Sequence, residues 1–214
     1  MTWLNSKIFP ETVVLGNGAF PEHPFPLKIL KNAKTIVCCD GAANGLINHN
    51  IIPTIIIGDM DSISNENRLK YKDIIIQIQE QETNDQTKAV EWAINIGISE
   101  IVILGATGKR EDHTIGNISL LCDYAKKIQV CAVSNYGIIN PVLESTTFES
   151  FAGQQISIFS LDPQTKVNSV NLKYPLNELT LKSWWMGTLN ESTGNSFSLT
   201  FESGELVVFQ TFGA

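Results

Sequence analysis

Two neighbouring stretches decide how this chain is read: Thr35-Ile36-Val37-Cys38-Cys39-Asp40-Gly41-Ala42-Ala43-Asn44 and Thr54-Ile55-Ile56-Ile57-Gly58-Asp59-Met60-Asp61-Ser62. Each is a short run of β-branched and apolar residues that stops abruptly in glycine and aspartate. A run that is apolar at every position suits a strand covered on both faces, as in a parallel sheet. The same pattern recurs at Thr12 to Leu15, Ile74 to Ile78, Ile101 to Leu104 and Gln129 to Val133. Helical spacing separates several of these runs. Ala89, Ala93 and Ile96 repeat behind Asp85, with Asp85 as the expected N-cap and Gly97 as the C′ residue. Ile115, Ile118, Leu121, Cys122 and Ala125 repeat from Thr114 to Lys126-Lys127, cations that suit a helix C-terminus. Strand and helix in alternation predict an open, mostly parallel α/β sheet with flanking helices.

Beyond about residue 136 the helical spacing disappears. Gln154 to Ser160, Thr180 to Met186, Ser196 to Glu202 and Glu205 to Gln210 read as strands of an antiparallel β unit, and Ser203-Gly204 reads as the turn of a hairpin joining the last two. The division expected is therefore 1–136 and 137–214, with its boundary between Asn135 and Pro141 and no linker, repeat or low-complexity tract.

Ligands of an open parallel sheet bind beyond the carboxyl ends of its strands, so the polar residues there matter most. Asp40 follows one strand, and Asp59 and Asp61 another. Gln81-Glu82-Thr83-Asn84-Asp85-Gln86-Thr87-Lys88 follows the strand at Ile74. Gly105-Ala106-Thr107-Gly108-Lys109-Arg110-Glu111-Asp112-His113 follows the one at Ile101. Any one of these acids alone reads equally well as a cap or a turn residue. Four successive strands delivering aspartate to one edge do not. Asp59 and Asp61, two apart, are expected on one side of an extended segment, where bare carboxylates repel unless a cation sits between them. Hard oxygen donors of this kind suit Mg²⁺, which recruits phosphates. Lys88, Lys109 and Arg110 supply positive charge in the same loops, as a polyphosphate requires. His113 reads either as a partner of Asp112 or a backbone group, or as a ligand contact. Gly105 to Arg110 is not a P-loop, since two residues separate its glycines and no hydroxyl residue follows Lys109. Gly16-Asn17-Gly18 lacks the third glycine of the dinucleotide fingerprint, with Pro21 in its place, which leaves a nucleotide backbone contact there as an open alternative.

Composition narrows the classes. The 214 residues carry 22 acids against 15 bases, a formal charge of −7, which argues against nucleic acid. Residues 40–112 hold 12 of those acids and 6 of the bases, so the excess sits with the proposed site. The amino-terminal residues Met1 to Lys7 lack a basic stretch leading into an apolar one, and no apolar run reaches the roughly 20 residues of a membrane span. A cytoplasmic protein is expected. Cys38, Cys39, Cys122 and Cys131 lie in apolar runs without metal-site spacing, and read as buried free thiols.

Taken together, Asp40-Gly41-Ala42-Ala43-Asn44, Gly58-Asp59-Met60-Asp61-Ser62, Gln81 to Asp85 with Thr87-Lys88, and Gly105 to Gly108 with Arg110, Asp112 and His113 resemble the thiamine pyrophosphokinases. Leu172-Lys173-Tyr174-Pro175-Leu176, and Gly187 with Asn190-Glu191, extend the resemblance over nearly the whole chain. It implies an α/β ATP- and Mg²⁺-binding catalytic domain followed by an antiparallel β-sandwich for thiamine binding and dimerisation. A homodimer with active sites where subunits meet is implied, as is transfer of pyrophosphate from ATP to the thiamine hydroxyl with release of AMP. Asp59, Asp61 and Asp85 would hold Mg²⁺ and, with Arg110, form the catalytic set. Asp40, Asn44, Gln81, Lys88, Arg110, Asp112 and His113 would line or hold ATP, and Tyr174, Trp185 and Asn190 would meet thiamine. The base for the hydroxyl stays open among Asp59, Asp61 and Asp85, and Trp184-Trp185 reads alternatively as one core and one interface residue. Three departures stand out: Asn84 for the usual threonine, Asn171 for glycine and Leu189 for serine. Another Mg²⁺-dependent nucleotide or phosphate-ester hydrolase, and a non-catalytic nucleotide-binding protein, are the competing readings.

Overall fold

The structure is a computed structural model that describes residues 10–213. The amino-terminal segment read above, Met1 to Lys7, lies outside the described residues. Two compact units emerge: residues 10–117 with 127–135, and residues 118–126 with 136–213.

In chain order the first unit begins β1 (Thr12–Leu15), α1 (Pro24–Asn32), β2 (Thr35–Cys39), α2 (Ala42–Asn48), β3 (Ile55–Gly58) and α3 (Asn65–Lys70). It continues with β4 (Ile75–Gln77), α4 (Asp85–Asn95), β5 (Glu100–Leu104) and α5 (Glu111–Ser119) and, after α6 (Leu121–Ala125), which belongs to the second unit, ends with β6 (Gln129–Val133). The six strands run in the order β6-β5-β1-β2-β3-β4, every neighbouring pair parallel. Val13, Val14, Val37, Cys38, Ile56, Ile57, Ile101, Val102, Ile103 and Leu104 are all 0% exposed, as strands covered on both faces require. The strand sequence reverses at β1, which has β2 on one side and β5 on the other, so the loops after β1 and β5 flank the switch point where such sheets bind ligands.

Local chemistry sets the helix ends. Pro24 occupies the first turn of α1 while the His23 ring caps it, accepting from the Phe25 amide, and the Ser64 hydroxyl caps α3 through the Asn67 amide at 3.2 Å. For α4 the cap is Asn84, one residue before the aspartate expected to do it: its Oδ1 accepts from the Thr87 amide at 2.8 Å. That frees the Asp85 carboxylate. Gly97, at φ +85, takes the left-handed position just beyond. The single helix expected from Thr114 to Lys127 is two, α5 and α6. Ile115 is 53% exposed while Leu121 and Cys122 are fully buried, so the apolar residues that suggested one helix do not form one buried face.

The second unit contains β7 (Gly137–Val142), β8 (Thr146–Glu149), β9 (Gln155–Ser160), β10 (Lys166–Val170), β11 (Leu179–Thr180), β12 (Asn190–Glu191), β13 (Ser196–Thr200) and β14 (Leu206–Thr211). β12-β9-β14-β7 and β11-β10-β13-β8 are antiparallel sheets. One cluster, including Phe148, Val167, Phe197 and Leu199 from the second and Val142, Ile156, Ile158, Leu206 and Val208 from the first, joins them as a sandwich. Phe148 and Phe197 stack at 4.8 Å between centroids.

Two expectations fail here. Ser203-Gly204 does not close a hairpin: β13 pairs with β8 and β10, β14 with β7 and β9, and the turn, with Gly204 at φ +108, carries the chain from one sheet to the other. Thr180 to Met186 is not a strand. Pairing ends at Thr180, and Trp184–Gly187 forms a short 3-10 turn whose Gly187 has no room for a Cβ, which would lie 2.0 Å from the Ile158 carbonyl oxygen. The four cysteines are buried free thiols, as expected. Among the described residues no helix is long and apolar enough to cross a membrane.

Candidate active site

The loops beyond β1, β2, β3, β4 and β5 converge on a cleft of about 540 Å³ in the first unit. Its floor is built by close backbone approach. Gly58, the last residue of β3, lies between two acids: a Cβ there would come within 2.8 Å of Asp40 Cβ and 3.1 Å of an Asp85 carboxylate oxygen. Only glycine lets both side chains reach this point.

Asp40 is 2% exposed, and its two oxygens accept from the amides of Ser62 at 2.8 Å and Ile63 at 3.0 Å. It therefore fixes the loop that carries Asp59 and Asp61. That loop is a turn and not the extended segment expected: Met60 sits at φ +70, and the Asp61 amide donates to Asp59 Oδ1 at 3.2 Å. The convergence survives by a different route. Asp40, Asp59 and Asp61 each offer an oxygen within 4.8 Å of the others, and Asp85 opens α4 at the same edge.

The environment treats these acids differently. Burial raises the Asp40 and Asp85 carboxyls above the ordinary range, with neighbouring acids adding to it, whereas the Gln81 amide beside Asp59, at 3.1 Å from Oδ2, holds that carboxyl lower. Crowded acids with raised affinity for a proton also suit a divalent cation, and a hard, all-oxygen donor set fits Mg²⁺. Lys88, with a side chain 3% exposed, lies 3.4 Å from Asp85 and 3.9 Å from Glu80. Arg110 grips Asp112, Nε to Oδ1 at 3.1 Å, and this pairing brings the Asp112 carboxyl down to about 2.

Of the expected ATP set, Asp40, Gln81, Lys88, Arg110 and His113 line the cleft. Asn44 and Asp112 do not. Asn44 holds the same loop from behind, donating to the Ser62 carbonyl at 3.0 Å and accepting from Ser64 and Asn67. Asp112 also accepts from the His113 amide at 2.9 Å.

The sequence reading missed the roles of Asn17 and Gln86, both in the lining. Gln86 is 4% exposed with its carbonyl oxygen unpartnered. A buried amide on a helix that also presents Asp85 was the available signal. The two glycine loops, neither matching a standard phosphate motif, zip together: Gly16 N donates to Leu104 O at 2.7 Å, Gly18 N to Gly105 O at 2.8 Å and Ala19 N to Thr107 O at 2.7 Å.

In the second unit Tyr174, Trp185 and Leu189 are 60%, 75% and 73% exposed. Trp184 is 41% exposed and meets Phe159 edge-on at 6.0 Å. Asn190 is buried, and its side chain is engaged with backbone: it accepts from the Tyr174 and Glu191 amides and donates to the Tyr174 carbonyl at 2.7 Å. It shapes the segment that presents Tyr174. Asn171, at φ +62, occupies a left-handed position that asparagine tolerates better than most side chains.

Fold and cleft together define a class: an α/β unit that gathers acidic side chains at the carboxyl edge of a parallel sheet, followed in the chain by a β-sandwich. Residues 27–132 match the catalytic-domain model of thiamin pyrophosphokinase, and residues 137–209 match the substrate-binding-domain model of the same family. The chain belongs to the thiamin pyrophosphokinase family. Thiamine pyrophosphokinase from Bacillus subtilis is 29% identical over 78% of this chain and 82% of that protein. Thiamine pyrophosphokinase 1 from Oryza sativa is 31% identical over 51% of this chain and 50% of that one. The crystal structure of the Bacillus subtilis enzyme shares the fold with a TM-score of 0.78, at 24% identity over 95% of this chain and 100% of that one.

Proposed function

We propose that the protein transfers the pyrophosphoryl group of ATP to the hydroxyl of thiamine, giving thiamine diphosphate and AMP. The observation that carries this reading is the convergence of Asp40, Asp59 and Asp61 on one point beside Asp85, in a chain of this family. Asp59, Asp61 and Asp85 are the residues that would hold Mg²⁺, with Asp40 within reach of the same point. The ion would neutralise phosphate charge and polarise the phosphoryl group under attack.

The chain's own groups do the remainder. Gln81 orients Asp59 through its amide. Arg110 and Lys88 place positive charge near where negative charge grows on the leaving oxygen and the phosphoryl oxygens. One of the carboxylates Asp59, Asp61 or Asp85 takes the hydroxyl proton. His113, on the cleft wall, is in position for a nucleotide contact. Tyr174 and Trp185 offer exposed aromatic faces to the cationic thiazolium, and Asn190 acts through the segment that holds Tyr174. The first part of the chain, 1–136, is the ATP and Mg²⁺ domain; the second, 137–214, binds thiamine and dimerises. The working form is a cytoplasmic homodimer with active sites where subunits meet.

The deciding experiment incubates the protein with ATP, Mg²⁺ and thiamine and identifies the products. Thiamine diphosphate and AMP in equal amounts are expected. ADP, or ATP breakdown indifferent to thiamine, would overturn the reading in favour of a hydrolase.

A further inference from the structure

Three cations line the cleft, Lys88, Lys109 and Arg110, and two of them already have carboxylate partners. Lys88 lies between Asp85 and Glu80, and Arg110 is bound to both oxygens of Asp112. Lys109 differs. Among the described residues it has no carboxylate partner, and its Nζ donates to Asn17 Oδ1 at 3.0 Å, a neutral acceptor on the loop after β1. Its backbone is also unusual, with φ at +64, a region where glycine is at ease and a side chain is not. A long cationic side chain is thus held at a strained position over the cleft by a bond to a neutral acceptor.

We propose that Lys109 is the mobile cation of the cleft: when the nucleoside triphosphate binds, its ammonium leaves Asn17 and pairs with a phosphate oxygen. This rests on the ATP reading above. The exchange replaces a neutral acceptor, the Asn17 amide oxygen, by an anionic one, adding the attraction of opposite charges to the hydrogen bond. For Lys88 or Arg110 the same move would forfeit an existing ion pair. A flexible point charge can also follow a phosphate as it shifts.

Titration calorimetry with Mg²⁺ and the α,β-methylene analogue of ATP, which cannot be cleaved at the reacting bond, tests this. Lys109→Gly should weaken binding about tenfold and flatten its salt dependence, because one ionic contact is lost. Its melting temperature should be unchanged or higher, since glycine relieves the left-handed strain. Lys109→Arg should bind within about threefold of the parent, because it keeps the charge. Unchanged affinity and salt dependence in Lys109→Gly, or a loss that Lys109→Arg does not restore, overturns the proposal. Failure of the parent protein to bind the analogue would overturn the ATP reading and this inference together, so the two failures are distinguishable.

Discussion

Asp40 and the pair Asp59 and Asp61 meet at one point, but they serve different ends. Asp40 satisfies two backbone amides, one of them on buried Ile63. Asp40→Ala leaves those donors without an acceptor and should cost about 2 to 4 kcal/mol of stability. Asp59 and Asp61 are more open to solvent and hold no core element. Asp59→Asn or Asp61→Asn should change stability by less than about 0.5 kcal/mol while lowering turnover by more than about a hundredfold. Urea unfolding alongside steady-state assays separates the two effects. Near-normal turnover in either asparagine variant would remove the carboxylate pair from the site.

Among the secondary-structure elements, α4 carries the most chemistry, because its first turn presents Asp85, Gln86 and Lys88 to the cleft. Asn84 fixes that turn twice, capping it through the Thr87 amide and donating to Asn117 Oδ1 at 3.0 Å. Asn84→Ala should cost about 1 kcal/mol and raise the Mg²⁺ concentration needed for half-maximal activity, since Asp85 loses its anchor. Asn84→Thr keeps a capping oxygen and should recover most of both. An alanine variant with unchanged stability and metal requirement would show that the cap does not position Asp85. Strand ends and glycines placed the acids at one edge from sequence alone. The cap itself was displaced by one residue, because Asn and Asp compete equally for that role and only the helix path decides between them.

Across the whole molecule, four thiols are shielded from water. Burial pushes the Cys122 thiol up to about 11, the charge of Glu205 adding to it, and raises Cys38, Cys39 and Cys131 as well. In the unfolded chain thiols ionise near pH ~8.5. Above that pH the unfolded state sheds protons that the native state keeps, so stability falls as pH rises, by up to ~1.4 kcal/mol per pH unit for each thiol. Urea midpoints measured under reducing conditions between about pH 8 and pH 10 should therefore decline, and Cys122→Ala should make the decline shallower. A slope unaffected by that substitution would contradict the burial argument.

Local sequence carries the strand runs of the parallel sheet, the acids at their carboxyl ends, the change to antiparallel structure after about residue 136 and the family. Each of these is written in local pattern: apolar runs, glycine and aspartate at strand ends, alternation of polarity. Long-range packing sets which partners the strands take, so β13 and β14 enter different sheets although a turn joins them. It also fixes the turn of the backbone at Met60 between Asp59 and Asp61, the hydrogen bonds of the Asn44 and Asn190 side chains to backbone groups, and the pairing of Lys109, among the described residues, with a neutral acceptor and no acid. Such outcomes depend on which groups distant in the chain compete for the same hydrogen bond or the same space, and no local pattern records that competition.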